Sequence, residues 1–259
     1  MEQMPTRGRV VLFGGRTASA SAVADTWEWD GTNWTSRTPA SSPAPRSHQS
    51  MTYDPVRDRI VLLGGWFSGS FVPNTWEWDG LTWALRETGT MRARHSAGFL
   101  PWVGRVVAFG GNTQGGPGST ATSELLAWNG ASWTALPATT RPEIRSAHAM
   151  ACDTVQNVLV AHGGSREMLT FDSVPLGDQW VFDSRGWTFT GMPTGPVRRV
   201  RGAMAFHAPA GQMVLFGGEA PGGLGVFADT WIRDTGQWRR IAPAFSPTTS
   251  GSESTGALV

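Results

Sequence analysis

Lysine is absent from this chain, and all 21 of its basic residues are arginine. That excludes a Schiff-base mechanism and a P-loop, both of which need the lysine amine. There is one cysteine, Cys152, so no internal disulfide can form and no oxidising compartment is implied. There is one tyrosine, Tyr53. Neither charge dominates, with 21 basic against 20 acidic residues, so nothing electrostatic points to nucleic acid or an anionic membrane as partner. The first residues, MEQMPTRGRVVLFGG, lack an apolar signal core, and no apolar run approaches the roughly 18 residues of a membrane span. No compartment follows from these absences. Glycine (33) and tryptophan (14), by contrast, are abundant, and a repeat accounts for both.

Glycine pairs close short β-branched runs at Gly14-Gly15, Gly64-Gly65, Gly110-Gly111, Gly163-Gly164 and Gly217-Gly218, with spacings of 50, 46, 53 and 54 residues. Their preceding runs, VVLF, IVLL, VVAF, LVAH and MVLF, read as a buried strand, b. After a variable loop comes a third strand, c, in DTWEWDG, NTWEWDG, ELLAWNG, DQWVFDS and DTWIRDT. A tight turn follows, Asp-Gly or Asn-Gly in the first three copies, and a tryptophan opens strand d: Trp34, Trp83, Trp133, Trp187 and Trp238. The distance from the central position of c to that tryptophan is seven residues in every copy. An inner strand, a, begins at Arg46, Arg92, Arg145 and Arg199, each 18 residues before its glycine pair.

Arginine, a strand ending in Gly-Gly, an aromatic third strand and a tryptophan on the fourth: this unit resembles the kelch repeat. The resemblance runs from Arg9 to about Ile241, with tryptophan on strand c (Trp29, Trp78, Trp128) where many members carry tyrosine. It implies a superfamily that includes bacterial kelch proteins and the central domain of galactose oxidase. The expected fold is all-β, a five-bladed kelch-type β-propeller with four-stranded antiparallel blades. Single sheets of this kind cannot cover their own faces, and stacking around a ring does so. The blades are expected at 46–87, 92–136, 145–190 and 199–242, with the first made from 9–37 plus 252–259. In that reading the tail SESTGALV supplies the inner strand that the first copy lacks and closes the ring, removing an exposed edge. The competing reading is a piece of a longer array.

Loop lengths divide the disc into two faces. The a–b and c–d turns barely vary, whereas the b–c loops (16–24, 66–73, 112–123, 165–177, 219–228) range from 8 to 13 residues. Variable loops on a constant scaffold are where binding usually resides, and propellers resembling this one commonly bind peptides, proteins or sugars on that face. The candidate ligand-binding face comprises the arginine row Arg46, Arg92, Arg145 and Arg199, the aromatics Trp66, Phe67 and Phe71, and the loop charges Arg166, Glu167, Asp172 and Glu219. Each has a structural competitor: the arginines recur with the repeat and suit ties to backbone carbonyls, and the second loop can fold onto its own blade. Paired loop carboxylates would suit a hydrolase acting on a carbohydrate or another small molecule, but no spacing motif supports it. His95 and His148 share one inner-strand position without a third ligand at metal spacing. The copper site of galactose oxidase needs a tyrosine–cysteine cross-link, and Tyr53 and Cys152 fall on equivalent positions two blades apart. The iron-binding triplet of plant nitrile-specifier proteins is missing too. No catalytic residue, metal or cofactor is therefore expected. The first reading is a monomeric, non-catalytic binding module for a protein, peptide or glycan, with no nucleic acid and no membrane as partner. The alternatives are the hydrolase and a structural blade array of a larger surface protein.

Overall fold

The computed structural model describes residues 1–19, 21–113, 120–166, 175–191, 194–220 and 224–242. It is a five-bladed β-propeller in which each blade is a four-stranded antiparallel sheet. Blade 1 is β1 (Glu2–Met4), β2 (Arg9–Phe13), β3 (Thr26–Trp29) and β4 (Trp34–Arg37). Blade 2 is β5 (Ser50–Asp54), β6 (Arg59–Leu63), β9 (Asn74–Trp78) and β10 (Trp83–Thr88), with a small hairpin, β7 (Trp66–Phe67) and β8 (Ser70–Phe71), between β6 and β9. Blade 3 runs β11 (Ser96–Leu100), β12 (Arg105–Phe109), β13 (Leu125–Trp128) and β14 (Trp133–Ala135). Blade 4 runs β15 (Ala149–Asp153), β16 (Val158–His162), β17 (Gln179–Asp183) and β18 (Gly186–Gly191). Blade 5 runs β19 (Ala203–His207), β20 (Gln212–Phe216), β21 (Thr230–Asp234) and β22 (Gln237–Ile241).

Strand b lies between a and c, so its apolar residues are covered on both faces; Ile60 to Leu63 and Val106 to Phe109 are all buried. The tryptophan opening strand d seals the seam to the preceding blade. Trp83 packs edge-on against Phe13 of blade 1 at 5.2 Å, and Trp187 stacks on Phe109 of blade 3 at 4.6 Å. Three of these indoles also donate Nε1–H to the start of strand c in the preceding blade: Trp83 to Thr26 (3.0 Å), Trp133 to Thr75 (2.8 Å) and Trp238 to Gln179 (2.6 Å). Area burial and directed hydrogen bonds thus act on the same residue. Trp34 does not pack in this way. It is 43% exposed and rests on Trp29 of its own blade at 5.6 Å, because all of β4 is exposed. Trp133 is only half-buried.

The glycine pair is explained by crowding at the seams. The first glycine of each pair has positive φ, between 61° and 70°. A Cβ on Gly64, Gly110 or Gly163 would lie within 2.6 Å of the carbonyl oxygen of Arg92, Arg145 or Arg199 in the next blade. Only glycine permits both the left-handed backbone and that approach. The second glycine then donates its N–H to the same carbonyl, Gly65 to Arg92 and Gly111 to Arg145 at 2.8 Å each.

The inner strand of blade 1 corrects the expected closure. The edge of β2 assigned to the tail is taken by β1, in register Glu2↔Val11, Gln3↔Val10 and Met4↔Arg9. The physical cause is a tight a–b turn: Pro5–Arg7 forms a 3-10 turn ended by Gly8 at φ 59°, matching Ala208–Ala210 and Gly211 (φ 62°) in blade 5. Residues 252–259 lie outside the described residues.

Candidate ligand-binding face

The repeat arginines are built into the scaffold. Arg46, Arg92, Arg145 and Arg199 are all buried, and each donates Nη1–H to the first glycine carbonyl of its own blade, at 2.9, 2.6, 2.9 and 2.7 Å. Each also binds the residue that starts strand c: Asn74 at 2.7 Å, Glu124 at 2.9 Å, Asp178 as a bidentate pair at 2.9 and 2.8 Å, and Asp229 at 2.7 and 2.9 Å. In blades 4 and 5 the aspartate also accepts the Nε1–H of Trp180 or Trp231, two residues on, at 2.7 Å. This explains the D-x-W pattern of strand c. Burial pulls the Arg46 and Arg92 guanidinium groups down to about 10, so both stay charged at neutral pH. At Asp178 burial works to raise the carboxyl pKa, but the hydrogen bonds and charge of Arg145 outweigh it and hold the group below the usual carboxylate range. The row therefore ties strands b and c to the incoming connection and does not present its guanidinium groups to a ligand.

Two residues further on, a different row lines the mouth of the channel. His48, Arg94, Ala147 and Arg201 adopt left-handed φ of 59°, 55°, 53° and 57°. Such a backbone costs a non-glycine residue about 1–3 kcal/mol, and here hydrogen bonds between blades hold it. Arg94 N–H donates to His48 C=O (3.0 Å), Ala147 N–H to Arg94 C=O (2.7 Å) and Arg201 N–H to Ala147 C=O (2.8 Å). The peptide units of four blades thus form a chain around the channel.

Behind this chain is a cavity of about 610 Å³, lined by the inner strands of all five blades. Its mouth carries Arg94, Arg201 and the first b–c loop residue of blade 1, Arg16. The three guanidinium groups act on His48: burial first, then Arg94, Arg201 and Arg16, push its pKa down to about 4, so the imidazole is neutral at pH 7. Deeper in, His95 shares a hydrogen with Ser50 Oγ at 2.6 Å, and burial, followed by the charge of Arg92, pushes it down to about 3. His148, buried against the Phe109 ring at 5.0 Å, is shifted down in the same way, by burial first and then by Arg145 and His95. Toward the opposite face, Glu2 accepts the Tyr53 N–H at 3.0 Å, and burial pushes its pKa up to about 7. Glu2 is the one carboxylate among the described residues lining this cavity.

The remaining predicted residues separate. Trp66 and Phe71 face each other across the β7–β8 hairpin, edge to face at 4.9 Å, with Phe71 buried, Trp66 half-buried and Phe67 exposed. Ser68 (φ 46°) and Gly69 (φ 84°) make its two-residue turn, and Trp66 is tied to Ser47 by two backbone hydrogen bonds of 3.0 and 2.7 Å. The trio is therefore partly a miniature core, with Phe67 as its outward member. Glu219 pairs with Arg201 at 2.6 Å, which brings it to the channel mouth. Arg166 pairs with Glu143, its Nε donating at 2.7 Å; both side chains are exposed. Glu167 and Asp172 lie outside the described residues. Cys152 is half-buried, and burial, aided by Asp153, pushes its thiol up to about 12. No three His, Cys, Asp or Glu side chains gather in a metal-like group among the described residues.

Arg16, His48, Arg94 and Arg201 were missed from sequence. The available signal was their offset: three of the four lie two residues after a repeat arginine, where the chain reads His, Arg, Ala, Arg. No protein-family model and no curated protein matches the chain.

Proposed function

We propose that this chain is a non-catalytic binding module that takes an acidic peptide segment of a partner protein on its b–c loop face. The observation that carries this reading is the convergence of Arg16, Arg94 and Arg201 around a neutral His48 at the mouth of a cavity of about 610 Å³. Guanidinium groups on a preformed rim offer paired N–H donors to a carboxylate, and the walls of a cleft strengthen the attraction. The strained backbone chain fixes the backbone of His48, Arg94 and Arg201 before any ligand arrives, which lowers the ordering cost of binding. Phe67 is exposed on the β7–β8 hairpin, whose Trp66 pairs with Ser47 next to His48, and would extend the contact with an apolar side chain. Glu219 competes for Arg201, so the ligand carboxylate takes over one partner of an existing pair. The resemblance of the repeat to kelch propellers supports use of the same face.

The test is an array of extended peptides, acidic and neutral, together with a glycan array, probed with the intact chain. Acidic peptides should be retained, and retention should fall as salt rises, because partly exposed charges are screened. Preference for neutral glycans would reject the peptide reading. Loss of binding on Arg145→Ala without unfolding, with Arg94→Ala unaffected, would move the site elsewhere.

A further inference from the structure

The seams between blades 1 and 2 and between blades 2 and 3 start from the same sequence, Thr-Trp-Glu-Trp, at Thr26–Trp29 and Thr75–Trp78. They are completed differently. At the second seam the Glu77 carboxylate is fully engaged: Arg57 binds Oε1, Arg86 Nε donates to Oε2 at 2.9 Å, and the indole Nε1–H of Trp128 donates to Oε1 at 2.8 Å. Only the Trp128 bond crosses the seam, since Arg57, Glu77 and Arg86 all belong to blade 2, and Arg57 Nη2 is the one buried polar side-chain atom of these four residues without a partner among the described residues.

At the first seam the equivalent residues are Glu28, Arg7, Arg37 and Trp78. Arg37 clamps Glu28 Oε2 through Nε (2.8 Å) and Nη2 (2.6 Å), where Arg86 holds Glu77 through Nε alone. Arg7 does not follow Arg57. Its guanidinium lies over Gly80, where a Cβ would stand 2.2 Å from Nε, much as that of Arg57 lies over Gly130, but among the described residues it makes no hydrogen bond to Glu28; its charge acts instead on Asp58 and Asp79. Trp78 is fully buried, and its Nε1–H has no hydrogen-bond partner among the described residues. Beside it is a cavity of about 530 Å³, lined among others by Arg7, Arg9, Glu28, Arg37, Trp78 and Leu81. Three guanidinium groups and one carboxylate, already clamped, thus border a space next to a buried donor. A buried N–H without an acceptor is rare in folded proteins and costs free energy until one is supplied.

We propose that the seam between blades 1 and 2 is a binding site for a small oxyanion, a carboxylate or sulfate. Its oxygen gives Trp78 Nε1–H the acceptor that Glu77 gives Trp128. Arg7 and Arg9, which both line the cavity, balance its charge. Leu81, 75% exposed on the c–d turn, forms an apolar lip, so an organic acid has a wall for its carbon chain. The site lies at the a–b and c–d turns, away from the channel mouth, and does not depend on the peptide reading.

The experiment uses the intact chain labelled with nitrogen-15, observing the indole N–H signals while sodium sulfate or sodium acetate is added at constant ionic strength, with sodium chloride as reference. Trp78→Phe assigns its signal; should that variant not fold, through-space proton contacts of the indole N–H to its neighbours give the assignment in the parent chain instead. The Trp78 signal should shift saturably with sulfate, acetate or both, and the ion that acts identifies the class. Arg7→Ala should weaken binding about tenfold, as expected for loss of one charge-assisted contact, and Arg94→Ala should leave it unchanged. A signal that does not move, or that moves equally with chloride, overturns the proposal. So does a Trp78 signal that shifts in Glu28→Gln without any added ion as far as that of Trp128 shifts in Glu77→Gln, because Glu28 would then already satisfy the indole.

Discussion

Arg92 and Arg94 stand two residues apart at the entry to the same inner strand, and their environments differ completely. Arg92 is 2% exposed and bound to Gly110 and Glu124 of its own blade. Arg94 takes a left-handed backbone, half-buried on the rim of the channel, where its charge reaches His48. The same contrast separates Arg199 from Arg201. One row converts a repeated residue into repeated internal bonds. The other row varies from blade to blade at a structurally fixed point, which is the pattern the proposed recognition surface requires.

The largest expected effect of breaking this contrast falls on the scaffold row. Arg145→Ala should cost about 3–5 kcal/mol, the usual penalty for removing one partner of a buried ion pair, because Asp178 is left without its bidentate partner. Arg145→Lys should recover only part of it, since an ammonium cannot make the fork of bonds to Gly163 and Asp178. Urea midpoints of the three proteins check this, and a midpoint equal to the parent's for Arg145→Ala would contradict the structural role.

A comparison of indoles sharpens the account of the seams. Trp83→Ala should cost about 3–5 kcal/mol, as for a buried aromatic, through loss of contact with Phe13 and of the bond to Thr26. Trp34→Ala should cost less than about 1 kcal/mol, as for an exposed position. Equal losses for both, in the same denaturation series, would show that Trp34 seals a seam after all.

Acid should act on the scaffold and the channel together. The folded pKa values of His95 (about 3) and His48 (about 4) lie below the ordinary histidine value, and that of Asp178 lies below the ordinary carboxylate value. A group with a depressed folded pKa contributes stability above its unfolded pKa and loses it as pH falls toward the folded one. The histidine contribution should therefore fade from about pH 6.5, the unperturbed histidine value, down to about 3–4, and the aspartate contribution only below the ordinary carboxylate range. Glu2 opposes this: its folded value of about 7 is raised, so its contribution is complete below its unfolded value and is lost as pH rises through 7. Melting temperatures measured from pH 8 to 3 should fall less steeply below 6.5 in His95→Gln than in the parent. An unchanged slope would contradict the assignment.

Much of the scaffold was legible because repetition exposes it. The constant 18 residues between arginine and glycine pair is the Nη1-to-carbonyl bond itself, and the Asp-Gly turns mark the c–d hairpins. The inner strand of blade 1 was not legible by that route. It has only three residues and no repeat arginine to anchor an alignment, and its one signal was the Pro5–Gly8 turn, which matches Ala208–Gly211. The hairpin at Trp66–Phe71 was also signalled, by Ser68-Gly69 between aromatics, but in a segment read as loop. The channel rim was hidden for a different reason. Four left-handed residues are expected to be glycine or asparagine, and here they are His48, Arg94, Ala147 and Arg201, held by bonds to other blades that no local pattern records.

The smallest effect on stability, and the largest on function, is expected at the rim, and this difference tests the central claim most directly. The measurement is the calorimetric affinity of the intact chain for the best acidic peptide from the array, for the parent and for Arg94→Gln with Arg201→Gln, alongside their urea midpoints. The account predicts affinity reduced at least about tenfold, in line with lost charge-assisted hydrogen bonds, and midpoints within about 1 kcal/mol of the parent, as for substitutions outside the core. Unchanged affinity in a folded double variant, or loss of affinity only in step with loss of stability, would contradict it.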